Sequence, residues 1–293
     1  LAILEVKVKR EDGSIGTYPA PLTKGRGSYA NDPEAVPATV NVEAAMNRVG
    51  RLATLASFVN RPEVSKALGS ATEGKATADQ FLTAAALRAL RRVWARVGEA
   101  SGVPEASRGA RTHAVTSLRM FAREDPWVNV LRSTLATFGA SIGGADAITV
   151  LPFDTVLGLP ERLGRRLARN TQILLADEAN VARVTDPGGG SWYLESLTDD
   201  VARAVWARFQ QIEASGGAVQ ALADGLFASW VADAVAQRDR DLATRSRPLT
   251  GVSMFPLVGE VTPDRRARVD LPTAAGGFAP RRDAPAYEAL RDR

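Results

Sequence analysis

The sequence predicts an α/β protein built on a parallel sheet, and three observations carry that prediction. Amphipathic helical stripes recur through the middle of the chain, apolar runs of strand length fall between them, and Gly or Pro punctuates the joins. Such alternation argues for strands paired in parallel beneath helices, the plan of a barrel or of a doubly wound sheet. Periodicity alone does not choose between the two.

At the start, Leu4, Val6 and Val8 alternate with Glu5, Lys7 and Lys9, and Asp12-Gly13-Ser14 supplies a turn. A short hairpin ending near Tyr18 is therefore expected. Pro19 to Pro37 reads as loop. From Val42 to Val59 the residues Val42, Met46, Val49, Ala53 and Ala56 share one helical face, and Gly69 to Thr77 reads as a second loop. From Asp79 to Glu99 a stronger helix carries Ala86, Leu90, Val93, Trp94 and Val97, and Gly102 ends it. Thr112 to Leu118 fits a buried strand. Asp125-Pro126 opens a helix with the stripe Val128, Leu131, Leu135, Phe138 and Ile142, stopped by Gly143-Gly144. Ala147 to Leu151 is the next strand.

Leu159-Pro160 opens a helix bearing Leu163, Leu167 and Leu174. Asp186-Pro187-Gly188-Gly189-Gly190 breaks the chain. Thr198-Asp199-Asp200 is expected to cap a helix with Val201, Val205, Phe209 and Ile212 inside, closed by Gly216-Gly217. From Val258 onward Pro, Arg, Asp and Gly dominate, which reads as linker or tail.

The chain has 293 residues, of which 45% are hydrophobic but only 6% aromatic, so its core rests on Val, Leu, Ile and Ala. It contains no cysteine, which excludes disulfides, thiolate metal sites, iron–sulfur clusters and thiol nucleophiles. Its single histidine, His113, rules out His pairs and makes a His-built metal site an unlooked-for outcome. The sequence has no apolar run long enough to span a bilayer and no secretory leader pattern, so a cytoplasmic protein is expected. The first residue is Leu. The net charge of +4 is carried mostly by Arg in mixed-sign surroundings. Without a Lys/Arg block interleaved with aromatics, neither nucleic acid nor membrane is the expected partner.

Gly188 to Gly190 lack a preceding strand and a following Lys-Ser/Thr, so a tight loop is expected rather than a phosphate cradle. Asp154 and Asp186 are available as a carboxylate pair, though nothing in their spacing demands it. Arg162, Arg165, Arg166 and Arg169 read as a solvated helix face, with salt bridges to another subunit as the sharper alternative.

Several longer stretches carry a resemblance. They are Asp125-Pro126-Trp127-Val128-Asn129, the run from Gly143 to Asp154 (Gly-Gly-Ala-Asp-Ala-Ile-Thr-Val-Leu-Pro-Phe-Asp), Leu157-Gly158-Leu159-Pro160 and Ala168-Arg169-Asn170-Thr171-Gln172. Asp186 to Tyr193, Thr250-Gly251-Val252-Ser253 with Phe255-Pro256, and Ala78 to Leu82 follow the same order. Together these resemble the barrel domain of the methylmalonyl-CoA mutase family over roughly 180 residues. The resemblance implies a (β/α)8 TIM-barrel type of fold, here a partial barrel, because a complete one takes about 250 residues. It divides the chain into an N-terminal hairpin, loop and helix (residues 1–77) without family counterpart, a barrel portion (78–256), and a tail (257–293). The tail leads toward a cobalamin-type domain that does not follow in this sequence.

The family interconverts methylmalonyl-CoA and succinyl-CoA, with adenosylcobalamin supplying the radical chemistry. The resemblance implies that cobalt is bound through an Asp-x-His-x-x-Gly motif, which His113 in Arg111-Thr112-His113-Ala114-Val115-Thr116 does not match. No cofactor-binding or metal-binding residue is therefore assigned in this chain. Catalytic chains of the family carry a substrate-facing His where this sequence has Thr149. Arg111, His113, Thr116 and Ser117 resemble the catalytic chains' Arg-Thr-His-Cys-Gln-Thr-Ser segment, making them substrate-binding candidates, although Ala114 and Val115 depart from it. For Arg111 a structural ion pair is the alternative role, and for His113 a hydrogen-bonded histidine at a strand end.

The wording from Ala145 to Phe153 is similar to the small subunit of bacterial heterodimers. The expectation is a non-catalytic component that pairs with a catalytic large subunit, meeting acyl-CoA and adenosylcobalamin only through that complex. The alternatives are an active acyl-CoA mutase subunit served by a separate cobalamin domain, or a truncated product without independent function.

Overall fold

The computed structural model describes residues 3–9, 15–21, 75–257, 259–267 and 281–291, in two compact units that divide between residues 46 and 47. In the first unit, β1 (Ile3–Lys9) and β2 (Ile15–Pro21) form the expected antiparallel hairpin, with Val6 opposite Tyr18. β2 continues through Pro19 to Pro21, residues that the sequence assigns to loop. The helix expected at 42–59 lies outside the described residues.

The second unit alternates β3 (Lys75–Ala76), α1 (Gln80–Ala100), β4 (His113–Thr116), α2 (Val128–Ile142) and β5 (Ala147–Thr149). β4 lies between β3 and β5 and pairs in parallel with both, Ala76 opposite Thr116 and Ala114 opposite Ile148. This is the parallel α/β arrangement that the alternation predicts. On one face of the sheet Ala76, Ala114 and Ile148 pack against Leu87 of α1 and Ala136 and Ala140 of α2. Small side chains on both layers let the helices sit close to the strands.

α1 begins where expected: Asp79 Oδ1 accepts the Leu82 N–H at 3.1 Å, satisfying a donor the helix leaves free. It ends before Gly102, at φ +73°. Arg91 on α1 caps the neighbouring helix, donating to Gly143 O at 2.7 Å and Gly144 O at 3.0 Å. A cation there meets the negative end of the α2 dipole.

α2 departs from its sequence pattern. Its buried face is Asn129, Arg132, Ser133, Ala136, Thr137, Gly139 and Ala140, while Leu131 and Leu135 are 64% and 43% exposed. The cause is the stagger of two parallel helices. Gly139 lies against Gln80, the first residue of α1, and Gly143 against Ala84. The first eleven residues of α2, Leu131 and Leu135 among them, thus precede the start of α1, while Ile142 and, in part, Phe138 pack against Ala84 and Ala85 of α1. Nor does Asp125 cap the helix: its φ is +42°, its N–H donates to Glu260, and the N-cap Trp127 makes no side-chain cap bond.

α3 (Arg162–Ile173) runs into a π-turn at Leu174–Glu178. It buries Gly164, Ala168 and Leu175, whereas Leu163 and Leu174 of the expected stripe are exposed. α4 (Trp192–Ala214) starts six residues ahead of the expected cap at Thr198. Ser191 is the true cap, its Oγ accepting the Leu194 N–H, and Thr198 instead returns its hydroxyl to Leu194 O at 2.6 Å. Trp192, 93% exposed, and the exposed Tyr193 disguise that first turn as loop. After α5 (Ala218–Ala223) and α6 (Leu226–Ala243), the largest apolar cluster among the described residues joins Leu90, Val93 and Val97 of α1 to Val201, Val205 and Ile212 of α4 and Trp230 of α6.

The stretch read as tail packs on this body where it is described. In α7 (Pro285–Arg291), Tyr287 and the preceding Ala284 join Ala122 and Val252 in a small core. The Glu288 carboxylate takes both Arg282 guanidinium nitrogens at 2.7 Å and the Arg123 N–H at 2.7 Å. Burial pushes its pKa up, but the Arg282 and Arg123 hydrogen bonds outweigh burial and hold it below the ordinary value of 4.5. A carboxylate depressed in the folded state stabilises above its unfolded pKa and loses that contribution as pH falls through the folded one. Glu288→Gln is therefore expected to lower the urea midpoint at pH 7 and to flatten its fall below the ordinary carboxylate range. An unchanged acid limb in the variant contradicts this anchoring role.

Candidate functional site

The second face of the parallel sheet carries the polar residues. Because side chains alternate along a strand, burying Ala114 against the helices turns His113 to the opposite side, where it is exposed along with Ala147 and Thr149. His113 stands diagonally across from Thr149, with its Nε2 2.8 Å from the Thr149 Oγ1. These two of the predicted residues are brought together.

The others serve different ends. Thr116 and Ser117 are buried; the Thr116 Oγ1 accepts the Leu151 N–H at 2.8 Å, and the Ser117 N–H donates to Ala76 O at 2.8 Å. The Thr116 hydroxyl and the Ser117 backbone thus stitch the strand end to its neighbours. Arg111 is exposed just before β4 and forms no ion pair among the described residues, so the structural ion pair considered for it is not found there.

Asp154 and Asp186 do not act as a carboxylate pair, since each has its own arginine. Asp154, fully buried, accepts the Arg265 Nε–H at 2.8 Å and the Glu161 N–H at 3.1 Å, while among the described residues its Oδ1 has no hydrogen-bond partner. Asp186 pairs with Arg88, which also holds Glu195 at 2.5 Å. The Gly190 N–H and then Arg88 draw the Glu195 carboxyl below its ordinary range. Gly188 to Gly190 form the expected tight loop: Gly189 N–H is spent on Asp186 O and Gly190 N–H on Glu195, and a side chain at Gly188 runs into Leu194.

Sequence reasoning missed three organising groups. Asp146 Oδ2 accepts the Thr112 N–H at 2.6 Å and its hydroxyl at 3.2 Å, fixing the entry of β4 beside that of β5. Asn129 is fully buried and bonds Ala122 through both backbone groups, Phe153 O, and Arg132, whose other nitrogen reaches Thr250 O at 2.6 Å. Arg265 crosses 111 residues of sequence to Asp154, and the Leu159 N–H donates to Arg266 O at 2.9 Å. Asn129 lay within a quoted motif; Arg265 left no local signal at all.

Among the described residues no helix is long and apolar enough to cross a membrane, and no three His, Cys, Asp or Glu side chains gather as a metal site. The chain is thus an α/β protein with a parallel sheet, helices on one face and a single exposed His–Thr pair on the other. The family model of methylmalonyl-CoA mutase matches residues 74–274. The chain is 55% identical over 219 residues to the methylmalonyl-CoA mutase small subunit of Streptomyces virginiae, covering 74% of this chain and 35% of that protein. It is 49% identical to the small subunit of Propionibacterium freudenreichii subsp. shermanii, covering 74% and 34%. With the Escherichia coli methylmalonyl-CoA mutase it shares 36% over 180 residues, 61% of this chain and 25% of the relative. The chain belongs to the methylmalonyl-CoA mutase family. It spans about a third of the length of the small subunits it matches.

The donor set present does not fit the family's cobalamin. The chain's one imidazole belongs to His113, on β4 with its Nε2 against Thr149, and there is no cysteine to offer a thiolate.

Proposed function

We propose that this chain is a small-subunit-type component of a cobalamin-dependent methylmalonyl-CoA mutase, without catalysis of its own, that pairs with a catalytic large subunit in the cytoplasm. Its α/β portion is read as the later part of a barrel of the (β/α)8 type, with adenosylcobalamin and acyl-CoA bound by the partner chain or a further domain. The observation that carries this reading is the Thr149 hydroxyl, bonded to His113, at the position where catalytic chains of the family place an imidazole.

Polarising a thioester carbonyl takes a donor fixed toward that oxygen in a water-excluded site. Thr149 offers a hydroxyl on an exposed face, already engaged by His113. The Thr116 hydroxyl is committed to the Leu151 backbone, Ser117 is buried, and Arg111 stands in solvent. Of the residues that resemble a substrate site, Thr116 holds neighbouring strands together and Thr149 is paired with His113, which suits a chain whose role is to support another.

Co-expression with a catalytic chain, followed by size-exclusion chromatography, tests the pairing. The two chains are expected to co-elute at micromolar concentration. Isomerisation of methylmalonyl-CoA by this chain supplied only with a cobalamin domain is expected to stay at background. Measurable turnover there, or separate elution, overturns the reading.

A further inference from the structure

The outward face of α3 breaks the usual electrostatic rules of a helix. Arg162, Arg165, Arg166 and Arg169 stand at i, i+3, i+4 and i+7, so they form one ridge about 10 Å long. All four are exposed, and among the described residues none pairs with a carboxylate; Arg165 bonds only Pro160 O. The acidic group beside them, Glu161, points to Arg265 at 3.5 Å. Like charges at these spacings repel, and the first two arginines sit at the positive end of the helix dipole. The opposite face seats the helix through Gly164, against Asp154, and Ala168. Folding of the described body therefore leaves this ridge uncompensated, and such local violations concentrate at functional surfaces.

We infer that the α3 ridge docks a carboxylate-rich surface of a second protein chain, which, resting on the reading above, is the large subunit. Charge complementarity sets the partner's sign. Its class follows from the side chains among and beside the arginines: Leu163, Ile173 and Leu174 are exposed on the same helix and its π-turn. Arginine mixed with apolar contact is the composition of protein interfaces. A phosphate backbone offers those three side chains nothing to bury against, and no aromatic stands on this helix for a base to stack upon. Planar guanidinium groups donate to carboxylates in a two-pronged fork, so acidic side chains at helical spacing satisfy the ridge.

The test uses the full chain and its R162E/R166E/R169E variant. Reversal places acids in the early turns beside Arg165, so the melting temperature of the isolated variant is expected to hold or rise. Binding of the wild-type chain to the catalytic chain, measured by titration calorimetry, is expected to weaken at least 100-fold in the variant and to lose most of its salt dependence. Equal binding by the two overturns the inference while leaving the proposed pairing intact. A second arm uses a poly-L-glutamate of about 20 residues against an oligouridylate of similar length. If the wild type ignores the catalytic chain but holds polyglutamate in a manner the variant loses, the pairing falls and the acidic protein surface stands. Tighter binding of oligouridylate, or no binding in either arm, overturns the inference.

Discussion

Asn129→Ala is expected to destabilise the protein by about 4 kcal/mol, near the upper end for single substitutions, because one side chain satisfies four groups in a dry interior. Its amide accepts the Ala122 N–H at 3.0 Å and Arg132 at 2.8 Å, and donates to Ala122 O at 2.8 Å and Phe153 O at 3.0 Å. Alanine leaves these groups without their partner, and each buried orphan is penalised by about 1–3 kcal/mol. Burial also lowers the Arg132 pKa from its ordinary value, with Asp125 and Asp283 opposing, so that cation already stands in a demanding place. Urea unfolding measures the loss. Asn129→Asp discriminates the mechanism: it keeps both acceptor roles but cannot donate to Ala122 O and Phe153 O. If aspartate restores wild-type stability, the amide donors are not what holds these loops.

The second large effect is steric. A Cβ at Gly139 meets Gln80 O at 2.7 Å and Gln80 Cα at 2.9 Å, both backbone atoms that cannot rotate aside. Gly139→Val must therefore push α2 away from the start of α1, across the contact that also brings Gly143 against Ala84. A glycine in mid-helix disfavours the helix by up to about 1 kcal/mol against alanine, so propensity alone favours substitution. Overpacking is expected to win, with a net loss of about 3 kcal/mol. Gly109→Val is the matched control, since nothing lies within 4 Å of a Cβ there. Its unfolding free energy from urea titration is expected to stay within about 0.5 kcal/mol of wild type. Equal behaviour of the two variants refutes the close-contact account.

Both effects bear on how much of this protein can be read without its structure. The helix at 80–100 was legible because its signals are local: Asp79 at the cap, an apolar stripe, and Gly102 just past the end. The His113–Thr149 pair was half legible. Both residues stood out as candidates, but their contact depends on the parallel register that sets Val115 opposite Thr149. The start of α4 was misread because its first two residues, Trp192 and Tyr193, are apolar yet exposed, so the hydrophobic period emerges only later in the helix.

By itself the sequence determined the alternation of helix and strand, the parallel α/β class and the family, because cap chemistry, periodicity and motif order are all written within short stretches of chain. Only the tertiary structure decided which face of α2 is inside, that Asn129 organises the loops around it, and that Arg265 closes on Asp154 from 111 residues away. Those outcomes depend on where one element begins relative to another. The stagger that sets Gln80 against Gly139, and so leaves Leu131 and Leu135 in solvent, belongs to a pair of helices and to neither sequence alone.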